Sequence, residues 1–336
     1  MKPTNLICLL FTLFGAWATL NPVKANTSMG ADLTYIRTGQ DSVVIQYKYY
    51  RNCSASIQSP TTVLLQYQAS GCHTGGTIPL VLGSVVQGYQ FGCPTGNCNT
   101  GQPGVFYEEA TYSAILVLPA ACSNWTFSVT RPDRSADNLD SATTADMYSS
   151  AVLNNSGGIQ NTSVVSPHYH PIYYACAGKP ATAGGGVTDL DGDSLVFSLT
   201  DPLKAANTPH AFKPGFTAAN PVGAANPFTL NPLTGVISVT APPAIYTRYA
   251  FRYTITEYRR INGVAVMVGQ TNRDMMLVID PCPPKPPIQI TNAKQSVDSV
   301  FVIAADVNTC LVFNTFQADS LSILRVATNV AMAIPG

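Results

Sequence analysis

Apolar and polar residues alternate with a period of two along most of this chain, the spacing that sends successive side chains to opposite faces of a strand. In SVVIQYKYY, Val43, Ile45, Tyr47 and Tyr49 share one face while Gln46 and Lys48 take the other, and TVLLQYQ repeats the period with Val63, Leu65 and Tyr67. RTGQDS between 37 and 42 supplies a turn, so Leu33 to Arg37 is expected to pair back on the next strand. Further on, Tyr112, Ala114, Leu116 and Leu118 fall on one side, then Trp125, Phe127 and Val129 follow a turn around Pro119 and Asn124. These strands predict a first β-sandwich.

From Arg131 to Pro167 the periodicity fades into Ser, Asn, Asp and Thr, which reads as long loops with a short helix near SATTADMYSSAVLNN. Alternation resumes near Tyr173 in LVFSL, FTLNPLTGVISVTAP and YAFRYTITEYRRINGVAVMVG. Asn262 and Gly263 readily take the positive φ of a tight hairpin turn, so RRINGV marks a hairpin. The fold class is therefore all-β, tandem β-sandwiches. The expected units are residues 26–165 and 166–281, followed at 282–336 by a stiff Pro-rich linker, PCPPKPP, and the start of a third sandwich. Asp-Ser-Leu opens a strand at 193 and again at 319, which suggests a repeat whose last copy is cut off, as in a fragment.

Composition narrows the function classes. Over 336 residues, 46% are hydrophobic and 11% charged, with eighteen basic residues against eighteen acidic. A balanced charge offers no field for nucleic acid or an anionic membrane surface. The opening MKPTNLICLLFTLFGAWATLNPVKAN has a cationic start, an apolar run and small residues before Asn26, so residues 1–25 read as a cleaved secretory signal. No later stretch is apolar enough for a transmembrane segment. Cys8 leaves with the signal. The remaining eight cysteines, Cys53, Cys72, Cys93, Cys98, Cys122, Cys176, Cys282 and Cys310, are expected to form disulfides, and proximity in sequence makes Cys93–Cys98 the pair expected first. CPTGNC has zinc-ligand spacing, but no second ligand pair follows it.

The most pointed chemistry lies in TDLDGDSLVFSLTDP, residues 188 to 202, where Asp189, Asp191 and Asp193 alternate around one glycine. Oxygen ligands on alternate residues suit Ca²⁺, which takes six to eight oxygens. The stretch is not an EF-hand, whose loop would require glycine at Ser194 and glutamate at Thr200. Further ligands must come from elsewhere: Glu257, on the apolar face of its strand after Tyr249, Phe251, Tyr253 and Ile255, then Asp274 and Asp280 around the last strand. The competing reading is a solvated turn whose aspartates cap backbone amides, with Glu257 paired to Arg259 or Arg260. His168 and His170 are spaced to meet a metal on one strand face, against a plain reading as solvent-exposed linker histidines. No nucleophile elbow, zincin helix, phosphate loop or dinucleotide fingerprint is present.

ADLTY, YYRNC, LVLPAACSNWTF, SPHYHPIYYAC, TDLDGDSLVFSL, FTLNPLTGVISVTAP, TEYRRINGV and NRDMMLVID together resemble the N-terminal region of large secreted gliding-motility-associated adhesins of Bacteroidetes. The second unit alone is similar to a cadherin-like domain of the dystroglycan type, on its D-x-D-G-D-S-L strand and F-x-L-N-P-x-T-G-x-I hairpin. The resemblance implies immunoglobulin/cadherin-like sandwiches with an acidic, calcium-linked end, exposed on a bacterial cell surface. The leading expectation is a non-enzymatic secreted adhesin or stalk segment stiffened by calcium, whose partner is a surface glycan, a protein or neighbouring copies of itself. The alternative is a secreted carbohydrate-binding module or accessory domain of an extracellular hydrolase. A metalloenzyme centred on His168 and His170 ranks last.

Overall fold

The computed structural model describes residues 28–52, 58–89, 106–134, 136–140, 145–165, 171–184, 186–281, 290–292 and 313–315. The strands are β1 (Ser28–Arg37), β2 (Ser42–Asn52), β3 (Thr62–Ala69), β4 (Thr74–Tyr89), β5 (Phe106–Val117), β6 (Trp125–Arg134), β7 (Ala145–Leu153), β8 (Ile172–Cys176), β9 (Pro180–Gly184) and β10 (Ser194–Thr200). They continue as β11 (Leu203–Ala205), β12 (Thr208–Pro209), β13 (Phe228–Leu230), β14 (Val236–Thr240), β15 (Arg248–Ile261), β16 (Val264–Asp280), β17 (Ile290–Asn292) and β18 (Phe313–Thr315). The fold is all-β. Among the described residues no helix is long and apolar enough to cross a membrane.

In the first unit the strands run β1-β2-β5-β4-β3-β6, and β6 returns to β1 through Ser28 and Arg134. β4 makes the corner. Thr74–Val81 pairs with β3, then a bulge between Leu82 and Ser84 turns the strand onto β5. Closing the sheet this way leaves few free edges to attract a stray strand. The alternation seen in sequence points inward: Leu33, Tyr35, Ile45, Tyr47, Leu65, Tyr112, Trp125 and Phe127 form one buried cluster. The turn at 38–41 joins β1 and β2 in register, Ile36 opposite Val44.

The helix expected near SATTADMYSSAVLNN is instead strand β7. It pairs with β6 along most of its length and with β16 at Ala151–Leu153. Met147, Ser149, Ala151 and Leu153 are buried, and so are Tyr148 and Ser150 on the opposite face. Ladder bonds with neighbouring strands and burial on both faces override the helix preference of an Ala/Ser/Met run.

In the second unit β8, β16, β15 and β10 form one layer and β9, β14 and β13 the other. Phe251, Tyr253, Ile255, Met275 and Leu277 from the first layer pack with Phe228, Ile237 and Val239 from the second. The β15–β16 hairpin turns at Asn262 and Gly263, with φ of 52° and 84° as the sequence predicts. β10 lies at the sheet's margin, where the Phe197 amide donates to Pro232 O at 2.9 Å and so ties that edge to the 231–235 loop.

One strand serves both units. β16 pairs with β15 and β8 in the second and with β1 and β7 in the first, at Ala31 opposite Asp274 and Gly269 opposite Leu153. The expected boundary at 165/166 thus does not separate two sheets, and Val164, on its first-unit side, already packs in the second hydrophobic cluster. Gly30 makes the close approach possible, since a Cβ there would stand 2.7 Å from Asp274 O and 3.1 Å from Pro171 Cβ. A third cluster, with Met29, Tyr50, Leu139, Ile172, Tyr174 and Met276, seals the outside of this seam.

The seam also holds buried charge. Arg273 grips Asp32 with Nε and Nη2, each at 2.7 Å, and Arg134 Nη1 donates to Asp274 Oδ1 at 2.8 Å. Arg252 donates to Tyr148 O and Ser150 Oγ on β7. Because β1 and β16 are antiparallel, Ser28 and Asp280 lie at the same end of the pair.

Cys72 and Cys122 form a disulfide that pins the β3–β4 turn to the loop before β6, and Cys176 is also disulfide-bonded. Cys53, Cys93, Cys98, Cys282 and Cys310 lie outside the described residues, as do His168, His170, the signal segment, the PCPPKPP linker after Pro281 and the second Asp-Ser-Leu run.

Candidate functional site

The acidic loop precedes β10 and is shaped by its own side chains. Asp189 Oδ1 accepts hydrogen bonds from the Asp191 and Asp193 amides, both at 2.9 Å, and Gly192 supplies a φ of 80° in the turn between them. The chain thereby folds back on its first aspartate, and carboxylate oxygens of Asp189, Asp191 and Asp193 all come within 4.8 Å of one another. Burial is the main cause that pushes the Asp189 carboxyl above its ordinary range, with Asp193 and Asp191 adding repulsion.

A side chain not singled out as a partner of the triplet answers that repulsion. Arg259 on β15 forks onto Asp193, Nε to Oδ1 and Nη2 to Oδ2, each at 2.7 Å, and its Nη2 lies 3.5 Å from Asp191 Oδ2. It also donates to Gln160 O at 2.6 Å and Asn161 Oδ1 at 3.2 Å. The bond to Asp193 raises the Arg259 pKa, the direction expected of a cation held by anions. Asp191 Oδ2 meanwhile accepts the Thr162 amide at 2.6 Å, which fastens the loop to the segment joining the two units.

Glu257 lies next to this group but faces inward. It is fully buried, its Oε2 accepts from Asn161 Nδ2 at 2.6 Å and its Oε1 from the Val164 amide at 3.3 Å. Burial drives its pKa up to about 7, and the charges of Asp189 and Asp193 push the same way. Asn161 also donates to Tyr35 OH, so one buried carboxyl links β1, β15 and the 161–164 segment. Gly269 opposite Glu257 leaves the room, because a Cβ there would collide with Glu257 Oε2 and Asn161 Nδ2. Neither Arg259 nor Arg260 is the partner of Glu257: the first holds Asp193 and the second reaches Gly263 O.

Asp274 does not join the triplet. It sits five residues beyond Gly269 on β16, about 17 Å along the strand, with its carboxylate held by Arg134. Asp280 is farther still. The residues present therefore fit calcium poorly, since the ion needs six to eight oxygens and Arg259 occupies both oxygens of Asp193. Asp189 Oδ2, buried without a partner, is the group's one unclaimed buried oxygen.

Alternation puts Arg259 on the same face as Glu257, and both reach Asn161. What the sequence does not show is the β10–β15 register, with Leu195 opposite Glu257 and Ser194 opposite Tyr258, which carries Asp193 up to Arg259. Asn161 and Thr162 lie in the polar stretch read as loop, where nothing in the sequence points to Glu257 or Asp191. A scan against models of protein families finds no match to this chain, and a search of curated proteins finds none.

Proposed function

We propose that this chain is a non-enzymatic, exported surface-binding protein whose two sandwiches act as one rigid adhesive body rather than as beads of an extensible stalk. The observation that carries this reading is the sharing of β16 by both units, locked by the buried Arg273–Asp32 and Arg134–Asp274 pairs. An in-line stalk passes its chain in at one end and out at the other, whereas here Ser28 and Asp280 lie at one end of the same strand pair. The secretory start, the low charge and the cysteines suit the outside of a cell. The motif likeness to gliding-motility adhesins points the same way. In this reading Arg259 supplies the positive charge at the acidic rim that a calcium ion would bring to a cadherin-like end.

Beads coated with the purified chain test the reading. Saturable, reversible attachment to bacterial cells or a protein-coated surface, without chemical change in the surface ligand, is the expected result; no attachment above a coat of serum albumin would overturn it. A carbohydrate-binding role has one specific observation in its favour, a groove of about 650 Å³ along the β3–β4 hairpin lined by Gln66, Gln68, Ser70, His73, Thr74 and Thr77. Neutral amides and hydroxyls are the groups that pair with sugar hydroxyls. A glycan array separates the two readings.

A further inference from the structure

The outward face of β1, β2 and β5 carries an apolar strip that no other described element covers. Ile36 lies opposite Val44, and Val44 opposite Ile115, so three branched side chains stand in one row across three strands. Val117 extends the row along β5 and Val81 flanks it from β4, one step diagonally from Ile115. Ile115 is 72% exposed, Val117 68% and Val81 56%. The neighbours on the same face are Ser42, Gln46, Thr111 and Ser113, all uncharged. At the far side Lys48 and Glu109 neutralise each other at 3.4 Å. The other end of this same face, at Tyr50, is buried under the 136–139 segment and β8.

We propose that this face binds a second copy of the chain, sheet against sheet, as a weak and reversible dimer. The area supports a second copy. The strip and its uncharged neighbours offer about 500 Å² per copy, so a two-fold contact would bury about 1,000 Å², near the lower bound for a specific interface. A self-complementary patch needs no charge pattern to match, and the face has no net charge to repel its own copy. Bare strand faces of two sheets pack at about 10 Å with side chains interdigitated, which branched Ile and Val suit. Where copies are crowded on a surface, a weak contact becomes an effective one through local concentration. The proposal is independent of what the body adheres to.

Sedimentation of the purified whole chain over about 1 to 200 µM, a span that brackets weak specific contacts, is the test. The average mass is expected to rise toward that of a dimer, and Ile115→Asp with Val117→Asp to weaken association at least about 100-fold, since each charge is buried twice across a two-fold. Ile115→Thr with Val117→Thr keeps strand preference and is expected to weaken it about tenfold, which guards against a folding defect in the aspartate variant. Leu233→Asp, at an exposed leucine on another loop, is expected to change nothing. A wild-type chain that stays monomeric throughout overturns the proposal. So does association that survives both double variants, or that Leu233→Asp abolishes equally.

Discussion

Arg259 stands against Asp193 in a two-pronged ion pair at the mouth of an acidic loop, with Asp191 3.5 Å from the same guanidinium. The arginine therefore does for three aspartates what a bound cation would do. Arg259→Ala is expected to destabilise the protein by about 1–2 kcal/mol, the scale for losing a partly exposed charged hydrogen-bond pair. It is also expected to create a calcium dependence: millimolar calcium raises the melting temperature of the variant by a few degrees and leaves the wild type unmoved. A wild-type melt that shifts with calcium as much as the variant's would show that Arg259 does not fill the site.

Glu257 titrates with its pKa raised to about 7 from 4.5. Between those values the folded state keeps a proton that the unfolded state has lost, so this residue makes stability fall as pH rises from about 4.5 to 7. Glu257→Gln removes the titration. The variant is expected to gain up to about 3 kcal/mol on the wild type at pH 8 and little at pH 4.5. Denaturant melts at the two pH values decide it, and an equal effect at both would rule out a buried carboxyl that ionises late.

His210 is buried beside Arg134 and bonds Asp146 O through Nε2 at 2.8 Å, and burial lowers its pKa to about 4 from 6.5. The sign is opposite to that of Glu257: this histidine's contribution is complete above pH 6.5 and is lost as pH falls toward 4. His210→Gln is expected to flatten that loss, worth at most about 3 kcal/mol. The two residues oppose each other between pH 4.5 and 6.5. Each single variant should therefore tilt the stability profile there in its own direction, Glu257→Gln upward with pH and His210→Gln downward.

Asp274→Asn leaves Arg134 and Arg252 in the seam without a compensating carboxylate. The expected cost is about 3–5 kcal/mol, the range for breaking a buried ion pair from one side. Because β16 belongs to both units, the whole body is expected to melt in one shifted transition by calorimetry. Two transitions of which only one moves would mean the units unfold separately.

The strands of both cores were legible because their burial is one-sided, which writes itself into alternation at Val43, Ile45 and Tyr47 or at Tyr249, Phe251 and Tyr253. β7 was not legible, since it is buried on both faces and uses Ser149, Ser150 and Ala151 where a half-buried strand would show alternation. The Asn262–Gly263 turn could be read because its chemistry is local. The shared use of β16 could not, because pairing of Ala31 with Asp274 is a fact about residues more than 240 positions apart. At the acidic rim the three aspartates were visible as a cluster, but their partner is set by the β10–β15 register, which joins residues more than 60 positions apart. Asp274 looked like a lender of ligands from its place near the end of the chain's last long strand, and the fold instead spends it on an arginine.

A strand owned jointly by two cores also sets what recombination can do with this gene segment. Residues 28–165 taken alone would keep their own hydrophobic cluster yet lose the partner that β7 meets at Gly269 and β1 at Asp274. Residues 166–281 taken alone would expose Arg273 without Asp32. Neither half is a cassette that can be shuffled, duplicated or grafted by itself. The heritable unit is the pair, and a useful expression boundary falls outside 28 and 281 rather than between the sandwiches.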